Sequence, residues 1–146
     1  MKGYKKRILG LLLAGMLCFA PVSAYATSNT PLTVSSGLNI DTKEAESTFD
    51  AHRIIYGEAE PGTTITVSVN HKNAKGAMQT VSSQHIVVGS MGIFSVAMDL
   101  ELGYNYISLS AKKQGHNEVS HTVTVKRLSQ QIKKNLQKMI ALPGNV

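Results

Sequence analysis

The sequence has 146 residues, the length of one ordinary domain. Its formal net charge of +6 is concentrated at the two ends, with four basic residues in the first seven positions and five in the last twenty-one. Between residues 27 and 125, nine acidic residues outnumber six basic ones. Binding to a phosphate backbone requires clustered Lys and Arg on the folded surface, so this distribution argues against a nucleic-acid partner.

The first 26 residues have the pattern of a secretory signal peptide. A basic segment (residues 1–7) precedes an apolar stretch from Ile8 to Ala20, and Ala24-Tyr25-Ala26 supplies the small residues that a signal peptidase requires. Thirteen apolar residues extend about 20 Å as a helix, which is too short for a bilayer core of roughly 30 Å. We therefore predict cleavage after Ala26 and a secreted, extracellular protein at or near a bacterial cell surface.

The single cysteine, Cys18, lies inside this apolar stretch. Met16 and Leu17 precede it, where a lipoprotein signal would have small residues. The sequence therefore predicts a mature chain that is not lipidated and that folds without disulfides.

Residues 27–48 form a polar leader with one candidate strand, and residues 49–127 form the predicted domain. Apolar residues alternate with polar ones along this domain, most regularly from Thr64 to Asn70, which is typical of strands with one buried face. The predicted strands are Leu32–Ser35, Arg53–Ala59, Thr64–Asn70, Thr80–Val88, Phe94–Leu100, Ile107–Ala111 and Val119–Val125.

Turn sequences separate these strands, and no helical period lies between them. Glu60-Pro61-Gly62-Thr63 has the pattern of a type II turn, and three further connections contain Gly and Asn. Parallel strands would need crossover helices, so the pattern predicts an antiparallel sandwich. About seven short strands in this length indicate an immunoglobulin-like (Ig-like) all-β fold.

The last segment, residues 128–146, has helical periodicity and predicts a short basic amphipathic helix. Ser129 is the predicted N-cap, and Pro143-Gly144 ends the segment. Its apolar positions are Leu128, Ile132, Leu136, Met139 and Ile140, and its lysines are Lys133, Lys134 and Lys138. Three roles remain open: packing on the sandwich, lying on an anionic membrane or cell-wall polymer, and docking to a partner.

Between Ile54 and Arg127 the sequence resembles the bacterial Ig-like domains of secreted and surface proteins. The matching segments are Gly57–Gly62, Ile65–Val67, Gly92–Ser95, Leu102–Ile107 and Val123–Val125. The resemblance implies that Gly57 allows a strand to kink, that Pro61-Gly62 turns a hairpin, and that Gly92-Ile93-Phe94-Ser95 opens an inner strand. It also implies that Gly103-Tyr104-Asn105 starts the next strand. These motifs are structural, so they predict a fold and no particular activity.

The sequence contains few of the patterns that would indicate an enzyme or a metal site. The five histidines lack the spacing of a zinc site. Asp41, Glu44, Glu46 and Asp50 form an acidic cluster, which we interpret as solvated charge in a connection. Because no nucleophile elbow or phosphate-binding loop is present, we predict a protein that is not an enzyme and needs no cofactor.

Two binding functions remain. The first is a secreted Ig-like module for protein contacts, in adhesion or structure, through exposed strand edges and loops. The alternative is a small carbohydrate-binding module. Tyr104 and Tyr106 lie two residues apart just before the predicted strand Ile107–Ala111. They would share the face opposite Ile107 and Leu109, forming a small stacking platform for a sugar ring. The sequence names neither the partner nor the oligomeric state.

Overall fold

Residues 28–141 are described by a computed structural model, which contains eight strands and one helix. The predicted signal peptide, Cys18 and the Pro143-Gly144 helix end lie outside these residues. The strands are β1 (Leu32–Ser36), β2 (Glu46–Thr48), β3 (His52–Ala59), β4 (Thr64–Lys72), β5 (Met78–Val87), β6 (Ile93–Asp99), β7 (Gly103–Lys112) and β8 (Val119–Arg127), and the helix is α1 (Gln130–Ala141).

The strands form two sheets. One has three strands in the order β1-β3-β6, and the other has five in the order β2-β8-β7-β4-β5. All neighbours are antiparallel except β2 and β8, which pair in parallel through Glu46–Thr48. The prediction of an exclusively antiparallel sheet with about seven strands missed this pair, because three polar residues are too few for an alternating pattern.

The inner faces of both sheets share one hydrophobic core. Ile65, Val67 and Val69 on β4 are buried together with Ile107 and Leu109 on β7, as their alternation predicts. β3 and β6 close the core from the other sheet with Ile55, Phe94, Val96 and Met98. The all-β prediction is therefore confirmed at the level of two sheets around a common core.

The strands also include residues before position 49, the predicted start of the domain. β1 pairs with β3, and β2 pairs with β8. Glu46 on β2 accepts a 2.6 Å hydrogen bond from Arg53 on β3, and the Arg53 guanidinium also donates to the Gly37 carbonyl at 3.2 Å. These bonds hold the connection between β1 and β2 against the sandwich.

The turn at Glu60–Thr63 has the predicted conformation. Gly62 has a φ of +83°, and the Thr63 amide donates to the Glu60 carbonyl at 3.1 Å. Gly57, expected to let β3 kink, is required for a different reason. A Cβ at this position would lie 2.5 Å from the Phe94 ring and would also meet the carbonyl oxygen of Thr33 on the neighbouring strand.

The helix begins at the predicted position. The Ser129 hydroxyl accepts a 3.4 Å hydrogen bond from the Ile132 amide, as an N-cap does. The Leu128 amide donates to the Thr48 carbonyl at 2.7 Å, and the Gln130 side chain donates to the Phe49 carbonyl at 2.9 Å. These contacts fasten the first turn to the connection between β2 and β3. All side chains from Gln130 to Ile140 are exposed.

One surface ion pair makes stability depend on pH. Lys113, in the turn between β7 and β8, donates a hydrogen bond to Glu60, and this contact and its positive charge lower the pKa of the Glu60 carboxyl. A carboxyl with a lowered folded-state pKa stabilises the fold above its ordinary pKa and loses that contribution as the pH falls. We expect the melting temperature of the Glu60→Gln variant to be below wild type at neutral pH. The two should converge as the pH falls below about 4.3, the ordinary pKa of a Glu carboxyl, and then through the lowered folded-state pKa.

The matched control for this prediction is Glu58→Gln, since Glu58 is exposed on β3 and makes no ion pair within residues 28–141. Its melting temperature should differ from wild type by nearly the same small amount across the pH range. A constant offset for Glu60→Gln at every pH would show that the Lys113 contact does not act through the charge of Glu60.

Candidate binding surfaces

The outer face of the five-stranded sheet is polar. Hydroxyl and amide side chains pair between β4 and β5: Thr66 with His85 at 2.9 Å, Ser68 with Ser83 at 3.0 Å and Thr80 with Asn70 at 2.7 Å. In this cross-strand ladder the six side chains satisfy one another's hydrogen-bonding groups. Tyr104 and Tyr106 on β7, the strand next to β4, are the large side chains of this outer face.

Tyr104 and Tyr106 lie on this outer face, as their alternation predicts. Asn105 and Ile107, which lie between and after them, point into the buried interior. The ammonium of Lys126 lies 4.9 Å from the centre of the Tyr104 ring, and that of Lys72 lies 5.2 Å from the centre of the Tyr106 ring. Each lysine makes a cation–π contact on its ring, so a sugar stacking there would have to displace it.

The longest open edge belongs to β5, which ends the five-stranded sheet. Eight of its ten side chains are exposed, including Val81 at 48% and Val87 at 69%. The strand contains no Asp, Glu, Lys, Arg or Pro. Edge strands usually carry such residues because unpaired backbone groups would otherwise attract another strand. We refer to Met78–Val87 as the β5 edge.

The other strands that end a sheet are protected. β1 has five residues and an irregular register between Val34 and Ser36, while β2 has three residues. β6 faces the β5 edge across the gap between the sheets, where the Gln84 amide donates to the Ala97 carbonyl at 2.8 Å. β5 is therefore the longest of the four strands that end a sheet in residues 28–141, and β6 contacts it at Gln84.

A depression of about 450 Å³ adjoins the first half of the β5 edge. Gln79, Thr80 and Val81 line it from β5, and Leu102, which is 55% exposed, lines it from the connection before β7. A strand added to a sheet places alternate side chains on each face, so such a depression can receive one of them.

The outer face of the three-stranded sheet carries a small apolar patch that was not among the predicted sites. Ile54, Tyr56, Ile93 and Ala97 are all exposed, and cross-strand pairing brings Ile54 next to Ala97. Part of the signal was available in the sequence, since Ile54, Ile55 and Tyr56 are consecutive apolar residues and cannot all face the same side of a strand. Isolated exposed apolar residues are common, and this patch alone does not define a site.

The predicted helix residues all lie on α1 or just before it. Ile132, Leu136, Met139 and Ile140 expose 43%, 41%, 63% and 85% of their surface. Because all four side chains are exposed, the structure does not show the first of the three open roles, packing of this apolar stripe on the sandwich. Lys133 lies 5.7 Å from the centre of the Phe49 ring, beside the attached first turn.

The titratable residues are dispersed. His52 pairs with Asp99, and Glu46 pairs with Arg53, so Glu46 is part of an ion pair and not the solvated loop charge predicted for the acidic cluster. Within residues 28–141, no three His, Cys, Asp or Glu side chains are grouped closely enough to hold a metal ion. The same residues contain no helix that is long and apolar enough to span a membrane.

Comparisons with known proteins give little. No family model matches the sequence, and no curated protein is similar to it. Among solved structures, the chain is similar to a β-glucosidase from Listeria innocua in complex with gluconolactone, with 10% identity and a TM-score of 0.34. The similarity covers 70% of this chain but 16% of the β-glucosidase.

Proposed function

We propose that this protein is an exported, non-enzymatic Ig-like module that binds another protein at or near the bacterial cell surface. In this proposal the partner contributes an extended segment, which pairs with the β5 edge as an additional strand. The observation that carries the proposal is the β5 edge itself, a ten-residue strand at the end of a sheet with no charged residue or proline.

The order of the strands supports the Ig-like assignment. In an immunoglobulin sandwich, strands A, B and E belong to one sheet and strands C, F and G to the other, with C′ added beside C in some members. β1, β3 and β6 correspond to A, B and E, and β8, β7, β4 and β5 correspond to G, F, C and C′. The β5 edge then takes the place of C′.

Export is supported by the sequence pattern of residues 1–26 and by a domain that needs no disulfide. The basic segment, the short apolar stretch and Ala24-Tyr25-Ala26 are the features that the export machinery and a signal peptidase recognise. Sequencing the N-terminus of the protein recovered from culture medium or cell envelope would test this part. Recovery of the uncleaved chain from the cytosol would contradict it.

Strand addition can supply both affinity and selectivity here. The free N–H and C=O groups of the β5 edge would form main-chain hydrogen bonds with the added strand. The depression that Val81 and Leu102 line together with Gln79, Thr80 and Glu101 would receive one side chain of that strand. A protein partner thereby uses the backbone of β5, whereas a glycan would use Tyr104 and Tyr106 on the outer face of β7.

The proposal predicts a contact that can be trapped covalently. A photoreactive amino acid at Gln79, on the β5 edge, should crosslink one discrete protein in the intact cells that export the module. The same group at Ser90, in the connection between β5 and β6, should not.

Val81→Lys should weaken this contact by at least about tenfold, because an added strand would bury the new charge against the edge.

Ser90→Lys is the matched control, since it adds the same charge at an exposed loop position. Equal crosslinking from Gln79 and Ser90, or full binding by Val81→Lys, would rule out the β5 edge as the contact. A glycan array tests the alternative function. Specific glycan binding that Tyr104→Ala abolishes would make the carbohydrate-binding module the better proposal.

A further inference from the structure

Helix α1 places its apolar side chains in water. Residues of an α-helix follow each other at 100°, so Ile132, Leu136, Met139 and Ile140 occupy one side, and Lys134 and Lys138 occupy the other. The helix is attached to the sandwich through Leu128 and Gln130 at its first turn. Beyond this turn it exposes both of its sides.

A helix of twelve residues is close to the shortest length that is stable in water. Such a helix gains stability when its apolar side is buried, and the sandwich does not bury it. The exposed stripe is therefore in the state expected of a segment that binds a surface outside the domain.

The charge of this region indicates the chemistry of that surface. No Asp or Glu follows Glu118, while Lys126, Arg127, Lys133, Lys134 and Lys138 lie in the same stretch. Pairing of two copies through their apolar sides would leave Lys134 and Lys138 facing water without acidic partners, so these charges would add nothing to a dimer. An extended anionic surface with an apolar interior complements both sides of the helix at once.

We infer that α1 attaches this protein peripherally to an anionic lipid surface, with the apolar side chains inserted and the lysines at the headgroups. A soluble anionic polymer would attract the lysines but would offer no apolar medium to Leu136 or Met139. This attachment goes beyond the proposed protein contact, because α1 follows β8 and β5 belongs to the other edge of the sheet. One module could therefore bind lipid and a partner at the same time.

The test is cosedimentation of the exported protein, purified from culture medium or cell envelope, with vesicles of equal parts phosphatidylglycerol and phosphatidylcholine, compared with phosphatidylcholine alone. Wild type should bind the anionic vesicles and lose binding as salt is raised. Lys134→Gln with Lys138→Gln should weaken binding by about thirtyfold at low salt, since each lysine near an anionic surface contributes about a fivefold gain. The matched control, Lys43→Gln with Lys75→Gln, makes the same charge change at exposed positions away from α1.

The apolar side is tested in the same assay. Leu136→Ser with Met139→Ser should reduce binding by at least about tenfold, and Met91→Ser with Ile93→Ser, which are exposed elsewhere, should not. All variants keep the same N-terminal segment, so their differences report on α1. Their thermal melts should equal that of wild type, because the changed side chains are exposed.

Several results would overturn the inference. These are no binding of wild type to anionic vesicles, equal binding to neutral vesicles, or full binding by the Leu136 and Met139 variant, which would indicate attraction by charge alone. If sedimentation showed that wild type is a dimer and that Leu136→Ser with Met139→Ser is a monomer, the apolar side of α1 would bind a second copy of the protein. Val81→Lys should bind vesicles as wild type does, so failure of the lipid contact and failure of the β5 contact are separable.

Discussion

Replacing Asn105 with alanine is expected to lower the free energy of unfolding by about 3 kcal/mol. Asn105 is fully buried at the start of β7, and its side chain joins three segments of backbone. Its oxygen accepts from the Glu101 amide at 2.8 Å, and its nitrogen donates to the carbonyls of Glu101, Gly103 and Val125 at 2.8, 3.2 and 3.4 Å. Alanine would leave these backbone groups without their partner and would also leave a cavity.

Urea unfolding measures this loss, and Asn73→Ala is the matched control. Asn73 makes comparable bonds, to the amides of Lys75 at 2.9 Å and Ala77 at 3.1 Å, but it lies in an exposed turn. Water can replace the side chain there, so the expected loss is below about 1 kcal/mol. Equal losses at the two positions would mean that burial of Asn105 does not determine its contribution.

Gly37→Ala should lower the free energy of unfolding by as much as Asn105→Ala, through strain and clashes of the backbone alone. Gly37 has a φ of +87°, and a Cβ at this position would lie 2.8 Å from the carbonyl carbon of Ile54, 2.9 Å from the Cα of Ile55 and closer still to the Ile54 oxygen. All three are backbone atoms of β3, so none can move without shifting the strand. The left-handed conformation costs alanine about 1–2 kcal/mol and the clash about 1–3 kcal/mol more, so we expect a total near 3 kcal/mol.

Two other glycines separate these contributions. Gly62→Ala keeps the positive φ but has open space for the Cβ, so it should lose about 1–2 kcal/mol. Gly89→Ala has neither problem and should be neutral or slightly stabilising, by up to about 1 kcal/mol. The urea midpoint should be highest for Gly89→Ala, intermediate for Gly62→Ala and lowest for Gly37→Ala. A Gly37 variant as stable as the Gly62 variant would contradict the close approach to Ile54.

The candidate sites were only partly predictable. Alternation placed Tyr104 and Tyr106 on one face, because successive side chains of a strand point to opposite sides. It could not supply the lysines above their rings, since Lys126 comes from β8 and Lys72 from β4. Those contacts depend on which strands become neighbours and in what register. Similarly, helical spacing predicted the two sides of α1 but not that its apolar side chains would stay in water.

Local order along the chain therefore determined seven of the eight strands, their inward faces, the Glu60–Thr63 turn and the start of α1 at Ser129. Each of these follows from interactions within a few residues, which a single sequence records directly. The tertiary structure alone decided that β2 pairs in parallel with β8, that Asn105 joins Glu101 to Val125, and that β5 lies at an edge. These outcomes depend on contacts between segments that are distant in sequence, and such contacts leave no periodic pattern in the chain.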